Sequence, residues 1–272
     1  MLLLDGNHVD GLSPADRGLT LGDGFFSTMR VSNGQICLLS YHLARIRNCL
    51  ARLQFPALEW DVMVTAMQAR ASRLQDGVLK IIVTRGQGGR GYSPLGCSRP
   101  TVILSEYAYP AHYDTWQAQG IVLGEIDQRL GNQPLLAGLK TLGRLEQVLF
   151  KAELESRGLA EALVCDTQGH LVEAVTANLF WRQGQCVFTP ALTQAGVAGV
   201  MRAWCLDQLQ RWQWDVQEVS QTPAALVQAD EIWLTNALMG QVPVGQWRGR
   251  SYPVDGAVCR RLQKSYHDEV KV

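Results

Sequence analysis

Apolar and polar positions along this chain alternate between two rhythms. Leu43, Ile46, Leu50 and Leu53 recur at spacings of three and four, which predicts an amphipathic helix over 40–54 with Ser40 as its N-cap. A second helix is expected over 58–74. Short apolar runs between polar stretches predict strands at MLLLDG, GVLKIIVTRG, TVILSEYAYP, IVLGEID, EALVCDT, LVEAVTANLFWR, CVFTP, DVQEV and EIWLTN. Ser32-Asn33-Gly34 between two apolar runs predicts a hairpin, Asp16-Arg17-Gly18 a loop and Gln168-Gly169 a turn. Further helices are expected over 141–157, 199–212, 222–228 and 256–267. Helices and strands interleave, yet several strand pairs are hairpins. The pattern is therefore α+β rather than a doubly wound parallel sheet.

Length adds a domain count. A chain of 272 residues suggests about two domains at ~100–200 residues each, and segment 111–120 reads as the linker between them. The boundaries are then 1–113 for a smaller N-terminal α/β domain, 114–120 for the linker and 121–272 for a larger C-terminal domain. Twenty-five basic residues balance 25 acidic ones, so no global field exists to attract nucleic acid or an anionic membrane. The seven cysteines are scattered and form no CxxC pair, which points to a reducing, cytoplasmic setting with no disulfide frame and no zinc site. MLLLDGNHVDG lacks the charged start of a signal peptide, and no run approaches the ~18 apolar residues of a membrane span.

Gly86-Gln87-Gly88-Gly89-Arg90-Gly91 satisfies GxGxxG after an expected strand. A dinucleotide fingerprint must also open a helix whose N-terminus holds the pyrophosphate. YSPLGCSRP follows instead, so the reading fails. A flexible surface loop, or a loop presenting Arg90 and Tyr92 to a pocket, remains.

Only five lysines occur, at 80, 140, 151, 264 and 271. Lys140 stands between leucines in PLLAGLKTLGRLEQVLF, where partial burial would favour the neutral, nucleophilic amine. The ordinary alternative is a lysine that snorkels to the surface. Lys80, inside an apolar strand, is its rival. Glu173 in LVEAVTANLF is a carboxylate in an apolar strand and needs a partner: either an arginine or a protonated ring nitrogen. GVAGVMRA opens a helix after Gly199, a shape that offers backbone N–H groups to a phosphate, although many helices start this way. Thr235-Asn236-Ala237 could add donors. Arg45 would supply countercharge or simply face solvent.

Taken in order, DRGLTLGDGFF, YHLARI, GVLKIIVTRGQGGRGYS, the lysine segment, VEAVTANLFW, AGVAGVMR and ADEIWLTNALMGQVPV resemble the fold-type IV pyridoxal-phosphate family over essentially the whole chain. LAGLKTLGRLEQVL, GQGGRGYS, AYPAHYD and NALM followed by PV are most similar to its aminodeoxychorismate lyase branch. The resemblance implies a two-domain, D-amino-acid aminotransferase-like fold with mixed sheets flanked by helices, the C-terminal domain carrying the lysine. It implies pyridoxal 5'-phosphate as cofactor, with Lys140 as Schiff-base lysine and proton shuttle and Glu173 as partner of the pyridine nitrogen. Arg45, Val200, Met201, Asn236 and Ala237 would hold the phosphate. Arg30, Arg90, Tyr92 and Tyr109 are the candidates for substrate carboxylates. The implied reaction converts 4-amino-4-deoxychorismate to 4-aminobenzoate and pyruvate in folate biosynthesis, in a homodimer and without metal. A transaminase of the same fold, for D-amino or branched-chain amino acids, is the alternative. A binding protein that kept the pocket but lost turnover is disfavoured, since binding alone needs neither Lys140 nor Glu173. The family's lyases carry asparagine where this chain has Gly143.

Overall fold

The computed structural model describes residues 2–4, 7–9 and 11–270. Met1 and Asp5-Gly6 of the expected first strand, and Lys271, lie outside them. The chain divides into two compact units: Met1–Tyr109 with Lys140–Gly143, and Pro110–Leu139 with Arg144–Val272.

The first unit contains β1 (Leu2–Leu4), β2 (Asn7–Val9), α1 (Arg17–Leu21), β3 (Gly24–Ser32), β4 (Gln35–Ile36), α2 (Leu39–Arg52), α3 (Trp60–Leu74), β5 (Gly77–Thr84) and β6 (Thr101–Tyr107). Its sheet runs β2-β1-β6-β5-β3-β4, with every neighbouring pair antiparallel. Period-two alternation along β3 separates two faces. Phe25, Ser27, Met29 and Val31 are buried, while Phe26, Thr28, Arg30 and Ser32 are half-buried. Ile46 and Cys49 of α2 and Met63 and Met67 of α3 share the buried set with Met29, Leu79, Ile81 and Leu104. The hairpin between β3 and β4 turns at Asn33 and Gly34, with φ of 50° and 74°, the double left-handed turn that matches strand twist.

Two local expectations in this unit change. The loop at 16–18 is the start of α1, because the Asp16 carboxylate accepts a hydrogen bond from Gly18 N at 2.8 Å and caps the helix. Helix α2 starts after Leu38, whose backbone is left-handed at φ 54° and which provides no side-chain cap. Ser40 therefore lies within the first turn; burial of Leu38 accompanies the start.

The second unit contains α4 (His112–Gln119), β7 (Ile121–Leu130), α5 (Leu145–Ser156), β8 (Glu161–Asp166), β9 (Leu171–Ala174), β10 (Asn178–Gln183), β11 (Cys186–Pro190), α6 (Val200–Arg211) and β12 (Asp215–Val219). A 3-10 turn (Pro223–Gln228), β13 (Glu231–Asn236), β14 (Gly240–Trp247), β15 (Arg250–Ser251) and α7 (Ala257–Val270) complete it. Its mixed sheet runs β12-β11-β10-β13-β14-β7-β8-β9, with β15 on β14. The pairs β11/β12, β14/β7 and β7/β8 are parallel. The end strand β9 turns back toward β10 through Ala174 N to Ala177 O at 2.7 Å, so the sheet curls on itself.

Strand β8 is buried at all six positions, and its alternation feeds two cores. Ala162 and Val164 pack with Phe150 and Leu154 of α5, whereas Leu163 and Cys165 join Trp181, Ile232, Leu234, Val242 and Trp247. The stretch read as LVEAVTANLFWR is two strands, interrupted at 175–177 where Thr176 N bonds the Glu161 carboxylate. Strand β14 was not foreseen. It lies between β13 and β7, although Pro243 cannot donate to a ladder; the register shifts between Val244 and Gln246. Residues 222–228 form a 3-10 turn rather than an α-helix, and the helix expected from 141 begins only at Leu145. Among the described residues no helix is long and apolar enough to cross a membrane.

Helix α5 buries Phe150 and Leu154 alone among its residues. Leu154→Ala should therefore cost about 2–5 kcal/mol. A urea midpoint unchanged from the parent would show that α5 is not held this way.

Candidate active site

In the first unit, residues 140–143 are extended and pair with the start of β3. Phe26 N donates to Lys140 O and Leu142 N donates to Gly24 O, both at 3.0 Å, with Phe25 and Thr141 bridged between them. Gly24 permits the approach: a Cβ there would lie 2.6 Å from both Leu142 Cδ1 and Val83 O. This pairing keeps Lys140 out of the following helix and fixes its backbone to a rigid sheet. The half-buried Lys140 places its ammonium 4.7 Å from the Phe26 ring centroid, a cation–π distance. Lys80 stands 4.9 Å from the same ring. The two lysines compared in the sequence thus meet one aromatic side chain.

Arg45 on α2 donates to Ser27 Oγ at 3.3 Å, and Ser27 Oγ lies 2.7 Å from His42 Nδ1. Burial, then the Arg45 charge, hold the His42 imidazole well below its usual range and keep it neutral. Arg30 pairs with Asp76 at 2.7 Å and lies 4.2 Å over the Tyr109 ring. The structure brings Arg30 and Tyr109 together, while Arg90 and Tyr92 stand exposed on the 86–93 loop.

The second unit holds the remaining candidates. Glu173 on β9 is buried, and its Oε2 accepts from Val197 N at 2.9 Å. Asn178 Nδ2 donates to Val197 O at 2.8 Å, and Gly138 is bridged to Val197. The 196–199 loop is pressed against these strands. A Cβ on Gly199 would meet Asn178 Oδ1 at 2.0 Å, so only glycine lets α6 begin here. Val200 and Met201 form its first turn, with no side-chain cap. The Asn236 carboxamide builds the turn after β13, accepting from Leu238 N and Met239 N at 2.9 and 2.8 Å and donating to Thr176 O at 3.3 Å.

An amine, a buried carboxylate, an uncapped helix start and a serine-held arginine are the group types that a phosphorylated pyridine aldehyde requires; the first unit carries Lys140 and Arg45, the second Glu173 and the start of α6. A Cβ on Gly143 would meet nothing within 4 Å, and its φ is open to an L-residue.

Sequence reasoning missed Glu161. It opens the apolar EALVCD run as Glu173 sits in LVEAV, so the same signal was present. Its side chain is 1% exposed and accepts hydrogen bonds from Thr176 N at 3.2 Å and from Thr176 Oγ1. Burial pushes its pKa up to about 7 despite the Thr176 hydrogen bonds and Lys151.

The family described as amino-transferase class IV matches residues 24–247 of this sequence, and the chain belongs to that family. It is 41% identical over 251 residues to an aminodeoxychorismate lyase of Vibrio harveyi, covering 91% of this chain and 93% of that one. The crystal structure of 4-amino-4-deoxychorismate lyase from Pseudomonas aeruginosa superposes with a TM-score of 0.93 at 39% identity, covering 100% of both chains. The branched-chain amino acid aminotransferase of Escherichia coli shares the fold, with a TM-score of 0.86 at 20% identity over 98% of this chain and 93% of that one.

Glu161 makes stability pH-dependent. Its folded pKa of about 7 lies above the usual 4.5, so its ionisation opposes folding. The penalty is absent below pH 4.5, grows toward pH 7 and is constant above about 8, reaching on the order of 3 kcal/mol. Glu161→Gln should gain on the parent by that order across this window in urea titrations. Parallel stability curves from pH 4.5 to 8 would refute the assignment.

Proposed function

We propose that this protein eliminates pyruvate from 4-amino-4-deoxychorismate and leaves 4-aminobenzoate, with pyridoxal 5'-phosphate as cofactor. The observation that carries this reading is similarity along nearly the whole chain to lyases of that substrate, with a lysine fixed on the first unit's sheet. When bound, pyridoxal phosphate supplies an aldehyde for an amine to condense with and a ring that takes up electron density.

Lys140 would hold the cofactor's aldehyde, and its free amine would take the C4 proton of the substrate as general base. Its extended pairing with β3 limits the amine to the arc its side chain can sweep. Glu173, which accepts from Val197 N, would keep the pyridine nitrogen protonated. Backbone N–H groups at Val200 and Met201, the Asn236-Ala237 turn and Arg45 would hold the phosphate. Arg90 and Tyr92, together with Arg30 and Tyr109, are assigned to the substrate carboxylates. Loss of the enolpyruvyl group yields an aromatic ring, so the reaction is driven by the product and the residues chiefly position.

A homodimer belongs to this reading. Leu145, Val148 and Leu149 lie on one face of α5 and are 79%, 61% and 57% exposed. Such a stripe is the signature of a surface awaiting a partner, and a second copy fits it. The cytoplasm is the proposed location, since all seven cysteines are free thiols.

The test is spectroscopic and chemical. The purified protein should show a band near ~410–420 nm that is lost in Lys140→Ala, and should release equal amounts of pyruvate and 4-aminobenzoate. A band bleached by D-alanine or leucine, without pyruvate from aminodeoxychorismate, would favour the transaminase. No band after adding cofactor would remove the reading altogether. Separately, Leu145→Asp with Val148→Asp should shift the protein toward monomer in sedimentation; an unchanged assembly would exclude this face.

A further inference from the structure

The glycine-rich segment that mimics a dinucleotide fingerprint is built the opposite way round from a phosphate loop. A phosphate loop turns backbone N–H groups toward its centre. Here the carbonyls turn inward onto a guanidinium. Arg17 Nη1 donates to Gly91 O at 3.1 Å and to Ser93 O at 3.2 Å, and Nη2 donates to Tyr92 O at 3.2 Å.

The guanidinium is itself fixed. Arg17 Nε donates to Asp23 Oδ2 at 2.9 Å, and Arg85 Nε donates to the same oxygen at 2.8 Å. Arg85 is anchored in turn on Leu53 O and Gln54 O, both at 2.9 Å. Burial pushes the Asp23 carboxyl up, but Arg85 and then Arg17 outweigh it and hold it below the usual range. It remains a carboxylate. Both arginines are buried and Asp23 is half-buried, so the charge cluster is largely shielded from solvent, and on the Arg17 side it is the 86–93 loop that it shapes.

The glycines follow from that shape. Gly88, Gly89 and Gly91 have φ of 127°, 71° and 59°, where L-residues are strained. A Cβ on Gly89 would lie 2.0 Å from Ser93 O and 3.0 Å from Arg17 Nη1. The carbonyls that Arg17 collects are those just after Arg90, and one of them is that of Tyr92.

We infer that Arg17 is a positioning residue for substrate recognition: it gathers the Gly91, Tyr92 and Ser93 carbonyls and thereby sets where Arg90 and Tyr92 are presented. This rests on the assignment of Arg90 and Tyr92 to the substrate. Lysine cannot replace Arg17, because an ammonium keeps the charge opposite Asp23 but lacks the planar fork that reaches three carbonyls and a carboxylate together.

The experiment uses the cofactor-loaded enzyme and three variants: Arg17→Lys, Arg90→Ala and their combination. In Arg17→Lys, kcat/KM for aminodeoxychorismate should fall about 10- to 100-fold, mainly through KM. The absorption band and cofactor affinity should match the parent. Amide exchange across 88–93 should speed up, and the penalty of Arg17→Lys should shrink in the Arg90→Ala background, since both act through one contact. An Arg17→Lys enzyme with parental KM, while Arg90→Ala raises it, would overturn the inference. So would a penalty that persists in full in the double variant. If Arg90→Ala leaves KM unchanged, the assignment of the loop to substrate fails, and the inference with it. Should Arg17→Lys not fold, Gly89→Ala attacks the same cradle from the loop side and should give the same KM increase; a parental KM in that variant would overturn the inference equally.

Discussion

Much in the first unit depends on a short backbone pairing. Lys140 and Leu142 extend along the first residues of β3, on ground that β4 leaves open because it pairs only with Val31 and Ser32. Two hydrogen bonds between extended segments do little for stability by themselves, roughly 0.5–1.5 kcal/mol each. Their value is geometric. A side chain carried by a strand is held in direction by the pleat, whereas one carried by a loop is not. The Lys140 backbone is therefore fixed to a six-stranded sheet. The Gly24 contact, where any side chain would collide with Leu142 and Val83, is the steric condition for that pairing.

The half-buried Asp23 and the buried Glu173 and Glu161 answer the cost of desolvation in three ways. Asp23 is surrounded by two guanidinium groups and stays ionised. Glu173 is placed against a backbone N–H with room in its chemistry for a cationic ring nitrogen. For Glu161 burial outweighs the Thr176 hydrogen bonds, the Lys151 charge and the Ala162 backbone N–H, and its affinity for a proton rises accordingly. The same chemical group thus acts as a structural anion, an acceptor for a backbone N–H and a near-neutral titrating group, and the neighbours decide which.

Much of this was legible in the sequence where local rules agree. The β3–β4 hairpin follows from Asn33-Gly34, and α2, β5, β6 and α6 follow from periodicity. The lysine and the strand glutamate stood out because a charge among apolar residues demands an explanation. The failures have physical causes. Strand β14 contains Pro243 and Gly245, which speak against a central strand; only the register shift between Val244 and Gln246 reconciles them with one. The break at Val175–Ala177 is imposed by Glu161, distant in sequence, which no local pattern reports. The helix expected from Thr141 is shortened because β3 captures those residues first. That Arg30 pairs with Asp76 and lies over the Tyr109 ring is a tertiary fact that spacing does not encode. Arg17 was read as part of a loop, and its three carbonyl partners lie more than seventy residues away.

The carbonyl-lined loop bears on how this enzyme could be redesigned. A glycine spacing specifies backbone freedom and says nothing about the sign of the charge the backbone will surround. In this chain the loop is already filled by a cation supplied from its own covalent structure, so it has no vacancy for either a phosphate or a free metal ion. Grafting residues 86–93 onto a related scaffold would transfer a string of glycines without a shape. The transferable module is discontinuous: the loop, Arg17, Asp23 and Arg85 would have to travel together.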